Sequence, residues 1–471
     1  MTENETLLPK AGPEPDFRDA HGGMDAAFVA SVEAAVAAQD APAAIALAGE
    51  LHEADLGDLL EAMEAEARPR LIELMGDDFD FAALTEVDDN VREEILDELE
   101  NKTVAEGIED LDSDDAVSIL EDLDKADQDE VLGALSAVER VNLQRSLDYP
   151  EESAGRLMQT ALITVPPFWT VGQAIDHLRD AGEDDLPDSF FEVFVVDPAH
   201  KLLGHVFLDR LVRTKRPVRL DSIMQADRRR VKVSEEQGEV ARLFERYNLV
   251  SVPVVDEGDR LVGVITIDDI VDVIQEEADD NLKALGGVQA GEELSDNILA
   301  TTKSRFPWLF VNLITAFAAS LVLWLFDIQL GKMVQLAVLA PIVASQGGNA
   351  ATQTMTVAVR ALATRELSRG NVARVIFREI AVGVLNGLMF GVITGIVAGW
   401  FFGLQGLGFC IAAAMLTNLV AGAIGGIFIP LILDKFEIDP AVSSGAFVTT
   451  VTDVVGYSAF LTIATVWFNL W

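Results

Sequence analysis

Cysteine and histidine are scarce in this chain of 471 residues. The single cysteine, Cys410, lies in an apolar segment, which argues against disulfides and against metal or redox chemistry based on thiolates. The five histidines all precede Thr301, and no nucleophile, base and orienting partner can be assembled around them. The chain also lacks the phosphate-binding glycine-rich loop followed by Lys and Ser or Thr, so the sequence does not indicate nucleotide hydrolysis as an energy source. An enzyme is therefore the least expected class of protein.

Basic residues are scarce too, and their distribution divides the chain. There are 34 Lys or Arg against 78 Asp or Glu, a net charge of -44, although 50% of the residues are hydrophobic. From Thr301 onward we count nine basic and seven acidic residues, which leaves 25 basic and 71 acidic residues before it. Because very acidic and very apolar compositions rarely share one domain, we expect an acidic soluble half followed by a membrane half.

The acidic half begins with a tail and a helical domain. Residues 1–23 are expected to form a disordered tail, and they carry no basic head followed by an apolar run that would indicate a cleaved signal. In residues 24–150, segments open with Asp-rich turns that suit helix starts and continue with Leu, Ile and Val at spacings of three and four. This pattern predicts stacked short helix pairs in a superhelical cytoplasmic domain. Taken singly, its carboxylates are more simply explained as solvated helix caps than as ligands.

Two copies of one α/β unit follow, in residues 151–219 and 220–277. Segments 193–212 and 252–271 align without gaps. The matched pairs are Val196/Val255, Asp197/Asp256, Leu202/Leu261, Gly204/Gly263 and Asp209/Asp268. The alignment predicts a tandem repeat of strand, turn, strand and helix.

These copies resemble a pair of CBS domains, each of which has an apolar strand, a turn, a second strand with the pattern Gly-h-h-Thr-x-x-Asp, where h is apolar, and a helix. The resemblance implies a dimerising sensor module. It also makes Thr266 and Asp269 candidate ligands of an adenine nucleotide, with ATP as the candidate cofactor. The first copy has Phe207 and Arg210 at these positions, which departs from the family pattern.

Residues 278–305 are predicted to form a connecting (plug) helix between the second copy and the membrane half. Seven carboxylates crowd four turns of predicted helix at this junction: Asp268, Asp269, Asp272, Glu276, Glu277, Asp279 and Asp280. Two like charges about 4 Å apart near a protein surface repel by roughly 4 kcal/mol. A divalent cation would remove that penalty. The alternative, for each residue taken singly, is a solvated acidic connector.

Five apolar runs of spanning length predict an all-α transmembrane bundle of five helices in residues 306–471. They cover approximately residues 307–326, 333–358, 375–402, 409–433 and 441–470. Basic residues mark cytoplasmic loops: Lys303 and Arg305 precede the first run, and five arginines lie between the second and third. We therefore expect a multi-pass protein of the cell (inner) membrane, with its N-terminus in the cytoplasm and its C-terminus outside.

Polar and small residues interrupt the apolar spans. Pro341 and the polar segment 345–354 predict a break in the second span, of the kind tolerated where backbone lines a cavity. Asn349 and Gln353 would then offer amide oxygens to the interior. In the third span, glycine at every fourth position from 383 to 399 predicts one face that packs closely against another helix. The remaining amides, of Asn312, Asn386 and Asn418, are more simply explained as interhelical hydrogen-bond donors.

Asp453 is the single charge in the last span, set among Thr449, Thr450 and Thr452. A carboxylate at this depth indicates a functional site, although a structural carboxylate satisfied by the threonine hydroxyls is the alternative. One carboxylate with neutral oxygen donors suits a hard cation rather than zinc or copper. Magnesium keeps several waters and is usually held by only one or two carboxylates, which suits this site. Calcium takes more ligands in a looser geometry, and the same argument does not exclude it. In a dimer, two copies of Asp453 could face one pore.

The order of these domains, together with PIVASQGGNAATQT in the second span and DPAVSSGAFVTTVTDVVGYSAF in the fifth, resembles the MgtE family of magnesium transporters and channels. The resemblance implies a homodimer in which Asp453 binds magnesium in the pore and Asn349 lines it. It also implies that the cytoplasmic domains close the pore when intracellular magnesium is high. The regulatory metal sites would be formed by Asp269, Asp272, Asp280 and Asp439, with Asp114 and Asp115 as partners in the helical domain.

We therefore expect passive, channel-like and magnesium-selective influx, gated by intracellular Mg²⁺ at the acidic domains. The expected partners are a second copy, membrane lipid and divalent cations, and no nucleic acid. One alternative is a divalent cation carrier coupled to sodium or protons, for which a lone membrane carboxylate is also suitable. Another is a membrane-anchored cation sensor without transport. Some family members have Asn where this chain has Ser443, Ser444 and Gly445, which leaves the outer ligands of the ion open.

Overall fold

A computed structural model describes the chain from Phe17 to Trp471, except residues 183–185, 188, 227–228, 290–291, 293–296, 366, 368–369, 437 and 439, and the side chains of residues 442–444. The chain forms two compact units, one ending at Glu277 and one beginning at Ala278. Most of the predicted tail lies outside the described residues. For residues 17–23 the prediction of disorder is wrong, because Arg18 bridges to Met24 and forms ion pairs with Asp55 and Asp58.

The first unit begins with a domain of short helices, as predicted. The helices are α1 (Ala26–Ala37), α2 (Ala41–Ala48), α3 (Glu53–Ala62), α4 (Arg68–Met75), α5 (Asp89–Glu98), α6 (Asn101–Ile108), α7 (Ser113–Asp122), α8 (Lys125–Ala134) and α9 (Ala137–Leu147). Several begin at a side-chain cap: the carboxylates of Asp25 and Asp124 each accept two backbone N–H groups, and Ser136 with Glu139 forms a capping box. The periodic Leu, Ile and Val side chains form one continuous core.

Two small sheets complete the first unit and confirm the tandem repeat. They consist of β1 (Thr164–Val165), β2 (Glu192–Val196) and β3 (Leu202–Phe207), then β4 (Val231–Lys232), β5 (Ser251–Val255) and β6 (Leu261–Thr266). In each sheet the first strand is parallel to the second, and the second is antiparallel to the third, with a register shift at the equivalent position. The associated helices are α10 (Val171–Asp180), α11 (Leu208–Arg213), α12 (Gln237–Tyr247) and α13 (Ile267–Leu285).

The two repeats are interlocked. Gln159, near the start of the first copy, bridges to Val264 in the second, and Gln225, near the start of the second copy, bridges to His205 in the first. A side chain at Gly204 would collide with the Gln225 carbonyl, and one at Gly263 would collide with Met158. These equivalent glycines are required because another backbone segment passes directly over each of them.

The second unit consists of helices. They are the end of α13, then α14 (Ile298–Leu325), α15 (Asp327–Lys332), α16 (Gln335–Ala363), α17 (Val372–Phe402), α18 (Gln405–Lys435) and α19 (Pro440–Phe468). Among the described residues, α14, α17, α18 and Gly445–Phe468 of α19 are long and apolar enough to cross a membrane. No single helix corresponds to the predicted connector 278–305, because α13 ends at Leu285 and α14 begins at Ile298.

The predicted break in the second span is wrong. Helix α16 runs unbroken for 29 residues through Pro341 and the polar segment 345–354. Pro341 lies inside α16, beyond its first turn, and the glycines of the polar segment are tolerated because neighbouring helices pack on them. Because of the polar segment, α16 is not apolar enough to be among the four spans. The role of α16 as a fifth span therefore stays a prediction.

The glycine face of α17 packs against α18, which confirms the predicted close approach. A Cβ atom at Gly383 would lie 2.8 Å from Ala423 Cβ, one at Gly387 2.8 Å from Leu416 Cδ1, and one at Gly391 2.9 Å from the carbonyl oxygen of Ala412. At Gly399, the nearest atom would be 3.9 Å away. The backbones of α17 and α18 are therefore too close for side chains over most of this face.

We predict that Gly391→Ala lowers the thermal stability of the purified full chain, whereas Gly399→Ala does not. Both changes raise helix propensity equally, but only the first forces a methyl group into the backbone of α18, which typically costs about 1–3 kcal/mol. Melting temperatures in one detergent provide the measurement. Equal melting temperatures for the two variants would contradict the close contact at Gly391.

Candidate functional site

An acidic cavity of about 740 Å³ lies in the first unit, between the short-helix domain and the start of α13. Fourteen of its lining residues are acidic: Glu53, Glu86, Asp89, Asp112, Asp114, Asp115, Glu121, Asp122, Glu151, Glu152, Asp268, Asp269, Asp272 and Glu276. Two of the described lining residues, Arg92 and Arg156, are basic. Arg92 pairs with Asp89 and Asp122, and Arg156 pairs with Glu121. Most of the negative charge in the cavity is therefore not neutralised by these arginines.

Asp114 is the most unusual of these carboxylates. It lies in the first turn of α7 and is 8% exposed, yet neither of its carboxylate oxygens receives a hydrogen bond from another residue in the described part of the chain. Burial raises the pKa of Asp114 well above its usual range, and the charges of Asp269, Asp115 and Asp112 add to that effect. A buried carboxylate without a donor is strongly unfavourable unless a proton or a cation accompanies it.

Asp115 and Asp269 share this environment. Burial, followed by the charges of Asp269 and Asp112, raises the pKa of Asp115 to about 7. Burial also raises the pKa of Asp269 to about 6, although the Thr266 hydroxyl opposes the rise by donating a hydrogen bond to Asp269 Oδ2 at 2.8 Å. The structure thus brings together residues from α7 and α13 that are about 150 positions apart in the sequence.

Glu86 and Glu53 are examples of helical-domain carboxylates in this cavity that the sequence did not single out. Glu86 lies opposite α13, and burial together with the charge of Asp272 raises the pKa of Glu86. Glu53, in the first turn of α3, lines the same cavity. Both lie in Asp-rich and Glu-rich segments that look like ordinary caps, so no local signal distinguishes them.

Asp280, a further predicted regulatory residue, is not among the described residues that line this cavity. Asp280 lies further along α13, in the second unit, where its carboxylate is 3.9 Å from the Lys283 ammonium group. Asp439 lies outside the described residues. Among the described residues, no three His, Cys, Asp or Glu side chains converge closely enough to hold a metal ion directly.

The predicted nucleotide ligands, Thr266 and Asp269, are bonded to each other. Thr266 is 5% exposed and its hydroxyl donates to Asp269. The cavity beside Thr266 has a volume of about 20 Å³, which is room for about one water molecule. The nucleotide role of these two residues stays a prediction.

In the second unit, Asp453 lies half-buried in α19. The hydroxyls of the neighbouring threonines donate to carbonyls of their own helix: Thr449 to Gly445, Thr450 to Ala446, and Thr452 to Val448 and Thr449. These hydroxyls therefore do not satisfy the carboxylate, which removes the structural explanation that the sequence had left open.

The sequence predicted that Asn349 and Gln353 face the interior, but both are exposed on the surface of the single chain. They belong to a polar stripe on one face of α16 that consists of Ser345, Asn349, Thr352, Gln353 and Thr356. Spacings of three and four place these residues within one arc of the helix. On its buried side, α16 meets α19, where a Cβ atom at Gly348 would lie 3.8 Å from the Thr452 hydroxyl. Asn349 and Asp453 each follow one of these contacting residues in the chain.

Glu379 is a buried charge that the sequence analysis missed. It lies in α17 and is 8% exposed. Its Oε1 atom pairs with Arg378 at 2.8 Å, and its Oε2 atom accepts a hydrogen bond from the Thr354 hydroxyl of α16 at 3.3 Å. The available signal was one acidic residue inside the apolar run 375–402, next to an arginine that marks the loop.

Family models match three parts of the chain. Residues 340–463 match a divalent cation transporter model, MgtE, and residues 51–152 match the MgtE intracellular N domain. Residues 220–276 match the CBS domain model. The matched regions contain the polar stripe of α16, Asp453, most of the short helices and the second α/β repeat.

Curated relatives cover most of the chain. The magnesium transporter MgtE of Bacillus subtilis is 31% identical over 336 residues, which cover 71% of this chain and 74% of that protein. The magnesium transporter MgtE of Enterococcus faecalis is 33% identical over 327 residues, 69% of this chain and 71% of that protein. Among solved structures, the soluble part of a magnesium transporter is 26% identical, with a TM-score of 0.48, and covers 54% of this chain and 98% of its own.

We predict that Asp114→Asn stabilises the first unit of the purified full chain without divalent cations, by on the order of 1 kcal/mol, because it removes a buried and repelled carboxylate. The same change should reduce the additional stability that Mg²⁺ provides. Thermal unfolding with and without Mg²⁺ measures both effects. Asp77→Asn, an exposed change in the same domain, is the control, and identical behaviour of the two variants would contradict the site.

We also predict that Mg²⁺ binding to the first unit strengthens as pH rises from about 6 to 8. Asp115, with a pKa of about 7, and Asp269, with a pKa of about 6, lose protons over this interval and become available to the cation. The half-saturating Mg²⁺ concentration should fall by about tenfold, since protons and Mg²⁺ compete for the same carboxylates. Protection from limited proteolysis, titrated with Mg²⁺ at each pH, is the measurement. An unchanged midpoint would exclude this competition.

Proposed function

This chain belongs to the MgtE family of divalent cation transporters, and we propose that it conducts Mg²⁺ passively into the cell through a pore formed by two copies of the chain. It is a membrane protein whose relatives are magnesium transporters, which supports Mg²⁺ as the transported ion. The acidic cavity of the first unit serves as the intracellular Mg²⁺ sensor.

The polar stripe of α16 is the observation that carries this proposal. Five polar side chains are exposed on one face of a helix that lies among apolar helices. Such a face is unfavourable against lipid, and polar residues at membrane depth usually line an aqueous path or meet another protein. A second copy of the chain, with its own stripe, would enclose a polar path between the two chains.

The chemistry of the stripe suits a hydrated cation. It offers amide and hydroxyl oxygens, and α19 adds the single carboxylate of Asp453. One carboxylate per chain attracts a divalent cation but does not replace its water shell, so the ion can leave again. Calcium would meet too few ligands for its usual coordination of six to eight oxygens.

Gating begins at the acidic cavity. At low Mg²⁺, repulsion among Asp114, Asp115 and Asp269 favours separation of the short-helix domain from the start of α13. When Mg²⁺ enters the cavity, the cation neutralises these carboxylates, removes their mutual repulsion and stabilises the compact unit.

Helix α13 links the sensor to the membrane helices. It begins at Ile267, beside the cavity residues Asp268 and Asp269, and continues as one helix to Leu285. Within the second unit, Ala284 packs in one apolar cluster with Ala351 and Met355 of α16 and with Val448 of α19. The end of α13 therefore lies against the two helices that we assign to the pore.

The proposed topology has α15 and the C-terminus outside the cell. The Lys332 ammonium group donates a hydrogen bond at 3.2 Å to the carbonyl of Leu470, so α15 and the C-terminus lie at the same end of the bundle. Arg360 lies in the last turn of α16 and Arg374 lies in the first turn of α17, so both flank the α16–α17 connection, which the positive-inside tendency assigns to the cytoplasm.

We predict that Asp453→Asn reduces Mg²⁺ uptake into proteoliposomes by at least about tenfold, because the only charged ligand of the proposed pore is lost. Asp327→Asn, which changes an exposed acid in α15, should leave uptake unchanged. Uptake is measured with an internal Mg²⁺ dye under an imposed potassium diffusion potential. Equal uptake by the wild-type chain and Asp453→Asn would contradict the pore.

The same assay separates the proposal from its alternatives. Wild-type flux that persists without sodium or proton gradients and increases with the imposed potential is expected of a passive pore. Flux that requires either gradient would favour a coupled carrier. An absence of Mg²⁺ flux under all conditions, together with Mg²⁺-dependent protection from proteolysis, would favour a sensor without transport.

A further inference from the structure

Asn418 of α18 is fully buried where α16 and α19 meet. Its exposed fraction is 0%, and its Nδ2 atom donates a hydrogen bond at 2.8 Å to the carbonyl oxygen of Val343 in α16. The amide lies between two glycines: a Cβ atom would be 2.0 Å from Nδ2 at Gly347 of α16 and 2.7 Å from Nδ2 at Gly456 of α19. One side chain therefore touches two neighbouring helices at positions that accept no side chain of their own.

Packing alone does not explain an amide at this position. The Oδ1 atom of Asn418 is buried without a hydrogen-bond partner in the described part of the chain. An acceptor left in that state costs about 1–3 kcal/mol, which an apolar side chain would avoid. The position instead uses two properties that an apolar side chain lacks. These are a donor for the Val343 carbonyl and a flat group that is thin enough to fit between the glycines.

The contact lies within about one turn of both polar groups of the proposed pore. Asp453 precedes Gly456 by three residues in α19, and Asn349 follows Gly347 by two residues in α16. The Asn418 amide holds α16 through the Val343 carbonyl and limits how closely α16 and α19 approach, so it fixes the distance between the two segments that carry Asn349 and Asp453.

We infer that Asn418 is a positioning residue that sets the spacing of α16 and α19 and thereby the preference of the pore for Mg²⁺ over Ca²⁺. This inference rests on the proposed function. It names a residue in α18, outside the two helices that present polar groups to the ion path. The water shell that Mg²⁺ retains is a near-ideal octahedron of fixed size, whereas the coordination of calcium is flexible, so looser spacing penalises hydrated Mg²⁺ more.

The test compares Mg²⁺ and Ca²⁺ uptake by the full chain in proteoliposomes at a fixed membrane potential. Asn418→Ala should lower the ratio of Mg²⁺ to Ca²⁺ flux by about tenfold, the lower end of the effect of losing an outer positioning group at a metal site. Asn312→Ala, which removes an exposed amide from α14, should leave the ratio unchanged. A ratio is used because loss of folded protein reduces both fluxes by the same factor.

A second substitution provides the rescue. Gly347→Ala alone should collide with the Asn418 amide and disturb the ratio, whereas Gly347→Ala combined with Asn418→Ala returns part of the missing volume between the helices. The double variant should recover a ratio closer to that of the wild type than either single variant. If Asn418→Ala does not reach the membrane, Gly456→Ala displaces the same amide from the side of α19 and replaces it in the comparison.

The outcomes are distinct. If the wild type transports Mg²⁺ and the variants that displace or remove the amide keep the wild-type ratio, the inference about Asn418 is overturned while the proposed function stands. If the double variant shows no recovery, spacing is not what Asn418 controls, and the inference is again overturned. If the wild type itself transports no Mg²⁺, the proposed function fails first.

Discussion

Repulsion between buried carboxylates is the constraint on which the first unit depends. Asp114 is buried, no other described residue donates a hydrogen bond to its carboxylate, and the charges of Asp269 and Asp115 raise its pKa further. Two arginines line the cavity, but they form ion pairs with Asp89, Asp122 and Glu121. The compact arrangement is therefore incomplete by itself and requires protons or a cation. In the function that we propose, this requirement couples the concentration of a divalent ion to a change of structure.

The ion path that we propose in the second unit has far fewer carboxylates than the acidic cavity of the first unit. Its proposed path offers one carboxylate, Asp453, and a stripe of neutral oxygens on α16. A cavity with fourteen carboxylates gains much from holding a cation, whereas a path with one carboxylate attracts the cation and releases it. The difference in charge density separates a regulatory site from a conducting one within a single chain.

Close backbone approach determines the geometry of the membrane unit. Glycines let α17 lie directly against α18, and Gly347 and Gly456 make room for the Asn418 amide between α16 and α19. Glu379 adds a polar link from α17 to Thr354 of α16. Helix α16 is thus held by contacts on its buried side while its polar face stays open. A helix held in this way presents its ligands at a fixed spacing, which selectivity between cations of different size requires.

Sequence by itself determined the features that depend on local patterns. Spacings of three and four residues gave the short helices, internal alignment gave the two α/β repeats, and a lone charge in an apolar run gave Asp453. These features follow from the periodicity of one element or from the cost of burying a charge. Such local arguments do not require knowledge of residues that are distant in the sequence. The same reasoning failed at Pro341 and segment 345–354, where neighbouring helices support a continuous α16 that composition argued against.

Only the tertiary structure decided which residues meet. It joined Asp114 and Asp115 of α7 to Asp269 of α13, added Glu53 and Glu86 to the same cavity, and left Asp280 apart with Lys283. It also showed that the threonines beside Asp453 bond to their own helix, and that Asn418 fills the space above two glycines. These facts depend on how separate elements approach one another. A carboxylate that caps a helix and one that faces three others look alike in sequence, and they differ only in the charges that folding brings beside them.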